Sequence, residues 1–113
     1  MIRLFIIEDH KELVVTSFKY EFRPKRDNII VAGAAENMSE AIKKMNSECF
    51  DLIILDLYLP NHLPVENIRT LKNLFPDKPV IIYSTETASS WKKKMIQEGA
   101  AGYVTKNSMR REL

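Results

Sequence analysis

A chain of 113 residues with 45% hydrophobic and 28% charged content is one domain's worth of sequence, able to bury a core without disulfide or metal staples. Its seventeen Lys+Arg against fifteen Asp+Glu leave a net charge of +2, too small to argue for nucleic-acid binding by the chain itself. No apolar run approaches the ~20 residues of a membrane span, the N-terminus has no signal-peptide layout, and the single cysteine, Cys49, excludes an internal disulfide and fits a reducing cytoplasm.

Strand and helix patterns alternate from end to end. Residues 3–7 read as an apolar strand closed by the acid pair Glu8-Asp9. Residues 11–22 follow as a helix with Val14, Phe18 and Phe22 on one face. It stops before Arg23-Pro24, because a residue preceding proline leaves the α region. Residues 29–34 form a second strand, and Asn37-Met-Ser-Glu offers caps for a helix to about Asn46 with Met38, Ala41, Ile42 and Met45 inward.

Residues 52–56 are four aliphatics ending in Asp56, the pattern of a strand buried on both faces of a parallel sheet. A loop over 57–63 leads to a helix opened by Pro64, whose stripe is Val65, Ile68, Leu71 and Phe75. Residues 80–83 are the fourth strand and Ser84-Thr-Glu-Thr the loop after it. Residues 88–98 form a helix ended by Gly99. Its apolar stripe is the poorest in the chain, Trp91 and Met95 against three lysines, so it is expected to be the most loosely held. Residues 102–105 make a short fifth strand, and Ser108 is expected to cap a fifth helix cut short at one turn. Repeated βα units without long linkers imply an α/β fold, a doubly wound parallel sheet between helices.

The carboxyl ends of such strands are where open α/β sheets place their chemistry. The strand ends here deliver Glu8, Asp9, Asp56, Ser84 and Lys106 to one rim. Packed carboxylates raise one another's pKa unless a cation intervenes, and a hard divalent ion such as Mg²⁺ suits two acids and a backbone carbonyl. Lys106 is then surplus positive charge unless an anion arrives. A phosphoryl group satisfies every member: an Asp carboxylate can attack it, while metal, lysine and hydroxyl neutralise its oxygens.

The pattern Glu8-Asp9, Asp56-Leu-Tyr-Leu-Pro60, Ser84 and Gly99-Ala-Ala-Gly-Tyr103-Val-Thr-Lys106 resembles the receiver domain of bacterial two-component response regulators, over essentially the whole chain. The wording around Lys106 looks most like receivers joined to helix-turn-helix DNA-binding output domains. The resemblance implies a flavodoxin-like, five-stranded sheet in the order 2-1-3-4-5. It implies Asp56 as phosphoacceptor, Glu8, Asp9 and Asp56 with the Tyr58 backbone carbonyl as the Mg²⁺ site, and Ser84 and Lys106 as phosphoryl-binding groups. Ser84 and Tyr103 would be the switch: phosphorylation draws Ser84 inward and Tyr103 rotates into the vacated space. It further implies a sensor histidine kinase or phosphotransfer protein as partner, a possible homodimer, and DNA contact only through an output domain lying beyond residue 113. The chain would be a signalling domain and not an enzyme, catalysing only its own phosphorylation and dephosphorylation.

This chain departs from the family pattern at Pro64, where a glycine is usual, and at Thr85, larger than the usual alanine or glycine. Tyr58 and Glu86 stand where side chains tune dephosphorylation, so phosphoryl turnover is expected to be slower than typical, from Thr85 and Tyr58 together. Two other readings stay open: a degenerate receiver that binds partners without phosphorylation, and an Asp-nucleophile phosphatase of the haloacid-dehalogenase kind. The latter wants a second acid where Tyr58 stands. His10 and His62 are read as helix-start and loop residues, and the clusters Arg23/Lys25/Arg26, Lys92–Lys94 and Arg110-Arg111 as solvated surface.

Overall fold

Four runs of branched aliphatic residues set the architecture. In a computed structural model, which describes residues 1–60 and 62–106, they become the interior strands and their neighbours. In chain order the elements are β1 (Ile2–Ile7), α1 (Lys11–Glu21), α2 (Pro24–Asp27), β2 (Ile29–Ala35), α3 (Met38–Met45), β3 (Leu52–Asp56), α4 (Pro64–Leu74), β4 (Val80–Ser84), α5 (Ser89–Gln97) and β5 (Gly102–Thr105). The sheet is parallel throughout, in the order β2-β1-β3-β4-β5, as expected.

Side chains alternate across the sheet with the two-residue period of a strand. Phe5, Ile7, Ile53, Leu55, Ile82 and Tyr103 enter the core under α3, α4 and α5, while Leu4, Ile6, Ile54, Tyr83 and Val104 enter the core under α1. Each helix contributes the stripe its spacing implied: Val14 and Phe18 from α1, Met38, Ala41 and Met45 from α3, Ile68 and Leu71 from α4. From α5 only Met95 is buried, in keeping with its thin stripe.

Local chemistry sets the ends. Asn37 caps α3 by accepting a 2.8 Å hydrogen bond from the Glu40 N–H. Pro64 stands at the first turn of α4, where its missing N–H costs nothing. Gly99 adopts φ +108° after α5, a conformation that side chains resist. The four-residue α2 was not expected: Pro24 opens it and Asn28 closes it in the left-handed region at φ 59°. It buries no residue, so no periodicity announces it. The β1–β2 register slips between Leu4 and Phe5, which pair with Val31 and Gly33. A side chain at Gly33 would collide with the Phe5 ring and Glu48 Oε2. The expected fifth helix at Ser108 lies outside the described residues.

Candidate functional site

Register brings the polar residues to one rim. Ile7 pairs with Leu55, which sets Glu8, the next residue, level with Asp56 at the end of β3. Asp56 pairs with Tyr83, and Ser84 with Thr105, so Ser84 and Lys106 follow at the same edge. Two backbone hydrogen bonds hold these ends: Glu8 N–H donates to the Ala35 carbonyl (2.9 Å) and Lys106 N–H to the Ser84 carbonyl (2.9 Å).

Glu8, Asp56 and Ser84 are buried, although all three are polar. The Lys106 ammonium lies 3.5 Å from both Glu8 carboxylate oxygens and 3.7 Å from Asp56 Oδ1. At those separations charge attraction, not a short hydrogen bond, is what binds them. One ammonium does not balance the cluster. Burial, and then the charge of Asp56, push the Glu8 carboxyl up to about 7, against the opposing pull of Lys106.

Beside this pair lies a ligand-rich corner. One ligand atom each from Glu8, Asp9 and His10 falls within 4.8 Å of the others. His10 is the N-cap of α1, the helix-start place expected of it, but its side chain makes no cap hydrogen bond. Instead Nδ1 sits 3.3 Å from Asp9 Oδ1 and 3.8 Å from Glu8 Oε1. The sequence reading set His10 apart from the acids; its adjacency to Glu8-Asp9 was the available signal. A surplus of oxygen donors, with one carboxyl driven toward its protonated form, fits a hard divalent cation.

The remaining candidates surround the rim. Ser84 Oγ accepts the Glu86 N–H at 3.0 Å. Glu86 is committed twice more, its Oε1 accepting the Ala88 N–H (2.9 Å) and its carbonyl accepting the Tyr103 hydroxyl (2.7 Å). Tyr103 is buried, and burial raises its phenol pKa. In this conformation the ring is buried and its hydroxyl is held by the Glu86 carbonyl. Thr85 is exposed. Tyr58 is half-exposed, its ring edge-on to Trp91 of α5 with centroids 5.8 Å apart and planes at 84°.

The family model of the response regulator receiver domain matches residues 4–113. This chain belongs to that family. Among relatives of the receiver domain, the response regulator GacA of Pseudomonas viridiflava is 30% identical over 108 residues, 96% of this chain and 50% of that protein. The DNA-binding transcriptional activator DevR/DosR of Mycobacterium tuberculosis is 28% identical over 113 residues, all of this chain and 51% of that protein. A LuxR-family two-component response regulator from an Aurantimonas species superposes with a TM-score of 0.83 at 25% identity, covering 97% of this chain and 77% of that one. The chain spans about half the length of these curated relatives. No helix among the described residues is long and apolar enough to cross a membrane.

Proposed function

We propose that this receiver domain accepts a phosphoryl group on Asp56 from a partner histidine kinase or phosphotransfer protein, and that the resulting change of surface controls transcription through an output domain. The observation that carries the reading is the Lys106 ammonium poised between Glu8 and Asp56 at the rim. In the step, an Asp56 carboxylate oxygen forms a bond to phosphorus as the phosphorus–nitrogen bond of a phosphohistidine breaks, and the imidazole leaves with its electron pair and takes up a proton.

Asp9, Glu8, Asp56 and the backbone carbonyl of Tyr58 are the groups that would hold Mg²⁺. When bound, it supplies positive charge against the phosphoryl oxygens and relieves the crowding of Glu8 on Asp56. Lys106 pairs with a second oxygen and needs no large movement, since it already faces Asp56. Ser84 Oγ accepts the Glu86 N–H and hydrogen-bonds with the Tyr103 hydroxyl, and its own O–H is the group that would turn to donate to a third oxygen. Drawing Ser84 toward the phosphoryl group pulls on Glu86, and Glu86 holds Tyr103 and the start of α5. That chain of contacts carries the state of Asp56 to the surface of α5 and β5 as a shift between two arrangements. Transcriptional output rests on the relatives, among them a DNA-binding transcriptional activator.

The test is mass spectrometry of the intact chain after incubation with acetyl phosphate, with Mg²⁺ or with EDTA. A single phosphoryl adduct is expected with Mg²⁺, and none in Asp56→Ala. No adduct on the wild type, or an equal adduct in Asp56→Ala, overturns the reading.

A further inference from the structure

The cluster Arg23/Lys25/Arg26 has no part in phosphoryl chemistry. Arg26 is used internally, on Asp27 and the Glu21 carbonyl. The Arg23 guanidinium is not, and neither is the Lys19 ammonium four residues earlier: both are exposed, and neither makes a hydrogen bond or ion pair to a described residue. Of the acids nearby in sequence, Asp27 Oδ2 accepts from the Arg23 backbone N–H and from Arg26, and Glu21, two residues from each cation, is itself engaged in an interaction.

These two free cations flank a cavity of about 290 Å³ between the end of α1, the short α2 and the edge strand β2. Leu4, Phe18 and Phe22, all buried, line it together with Ile29 and Val31. It opens at the amino ends of β1 and β2, the edge of the sheet opposite Asp56. It is open to solvent beside the exposed Lys19, Arg23 and Ile30, and ~300 Å³ is the lower end of small-molecule sites, which are apolar with a few placed polar groups. The α2 turn makes the cavity: Pro24 leads the chain away from α1 and Asn28 returns it to β2, with Arg23 and Pro24 left along its wall.

We propose that this cavity is a binding site for a small amphiphilic carboxylate. The apolar body packs against Phe18, Phe22 and Val31, and the carboxylate is held by the Arg23 guanidinium fork and the Lys19 ammonium. A neutral ligand would leave both cations unused, and a cationic one would face them. The site is independent of Asp56, so its ligand binds phosphorylated and unphosphorylated chain through the same groups.

The test is titration of the 113-residue chain with decanoate below its micelle concentration, followed by calorimetry and by amide NMR shifts. Decanol and decyltrimethylammonium are the comparators. Saturable binding at one site is expected, with shifts at Phe22, Ile29 and Val31 and weaker binding of both comparators. The double variant Lys19→Ala/Arg23→Ala changes only exposed side chains; it should fold normally and bind decanoate at least about tenfold more weakly, a loss of ~1.4 kcal/mol. Val31→Phe should abolish binding by filling the space, and Asp56→Ala should bind as the wild type does. Absence of saturable binding overturns the proposal, as does decanol binding as tightly as decanoate or full affinity in the double variant.

Discussion

The Tyr103 hydroxyl donates a 2.7 Å hydrogen bond to the backbone carbonyl of Glu86, and through it β5 grips the loop that follows Ser84. The ring is buried in the core under α3, α4 and α5, so it packs and bonds at once. Tyr103→Phe keeps the packing and leaves a part-buried carbonyl short of its donor, at a cost of about 1 kcal/mol. Urea unfolding measures this directly. Because the ring is buried and its hydroxyl held by Glu86, its proton shifts should change little when Asp56 is phosphorylated, while the amides of Ser84 and Glu86 move. Large shifts of the Tyr103 ring with a still loop would show the opposite order of events.

Crowding at the rim has a consequence for the metal-free chain. The Glu8 carboxyl is pushed up to about 7 first by burial and then by Asp56. Removing the Asp56 charge with Asp56→Asn should therefore stabilise the protein in EDTA, by ~1 kcal/mol for each pKa unit relieved. Mg²⁺ should stabilise the wild type more than the variant, because the variant has lost one of its charged ligands. Thermal melts in EDTA and in Mg²⁺, wild type beside Asp56→Asn, read both effects. A variant that melts lower than the wild type in EDTA would contradict this account of the rim.

A third prediction concerns acid. Glu40 is held at a pKa of about 2, against an ordinary 4.5, mainly by the Lys11 ammonium and then by Lys44. Lys11 and Lys44 each lie 2.9 Å from Glu40 Oε1. A depressed folded-state pKa gives stability that is present above pH ~4.5 and drains away as pH falls toward ~2. The Glu40 side chain is 29% exposed, so solvent screening holds the effect to about 1 kcal/mol. Glu40→Gln should flatten the stability profile across that window and leave the slope above pH 5 unchanged. Asn37→Ala, which removes the cap of the same helix, should cost about 1 kcal/mol at every pH. Chemical denaturation between pH 2 and 7 separates the two.

Buried strands and the residues that end them were legible because a parallel sheet covered on both faces demands apolar runs, and polar residues can stand only where those runs stop. Glu8, Asp56, Ser84 and Lys106 were found on that logic, and the strand register brings them together. What sequence patterns do not carry is side-chain direction. The turn of His10 toward Asp9 and the inward place of Tyr103 depend on rotamers chosen by tertiary neighbours. The α2 turn escaped for another reason: four residues with nothing buried leave no period to read, and Pro24 signals a stop as readily as a start. The cavity beneath Arg23 follows from that turn, so it was invisible too.

The edge-on contact of Tyr58 with Trp91 ties the loop after Asp56 to α5. Tyr58 stands two residues beyond the proposed phosphoacceptor, and Thr85 is exposed directly after Ser84. We propose that both border the approach of water to an acyl phosphate on Asp56, whereas the Glu86 carboxylate is engaged by the Ala88 N–H. Tyr58→Ala and Thr85→Ala should each shorten the phosphoryl lifetime several-fold, and Glu86→Ala should act chiefly on stability through the lost contact at the start of α5. Trp91→Ala should resemble Tyr58→Ala in lifetime, because it removes the ring that orients Tyr58, and Trp91→Phe should restore most of the wild-type value. As the one tryptophan in the chain, Trp91 also reports the contact by fluorescence. Lifetimes come from the decay of the phosphorylated species by mass spectrometry. A wild-type lifetime that neither Tyr58→Ala nor Thr85→Ala shortens would rule out shielding by these side chains.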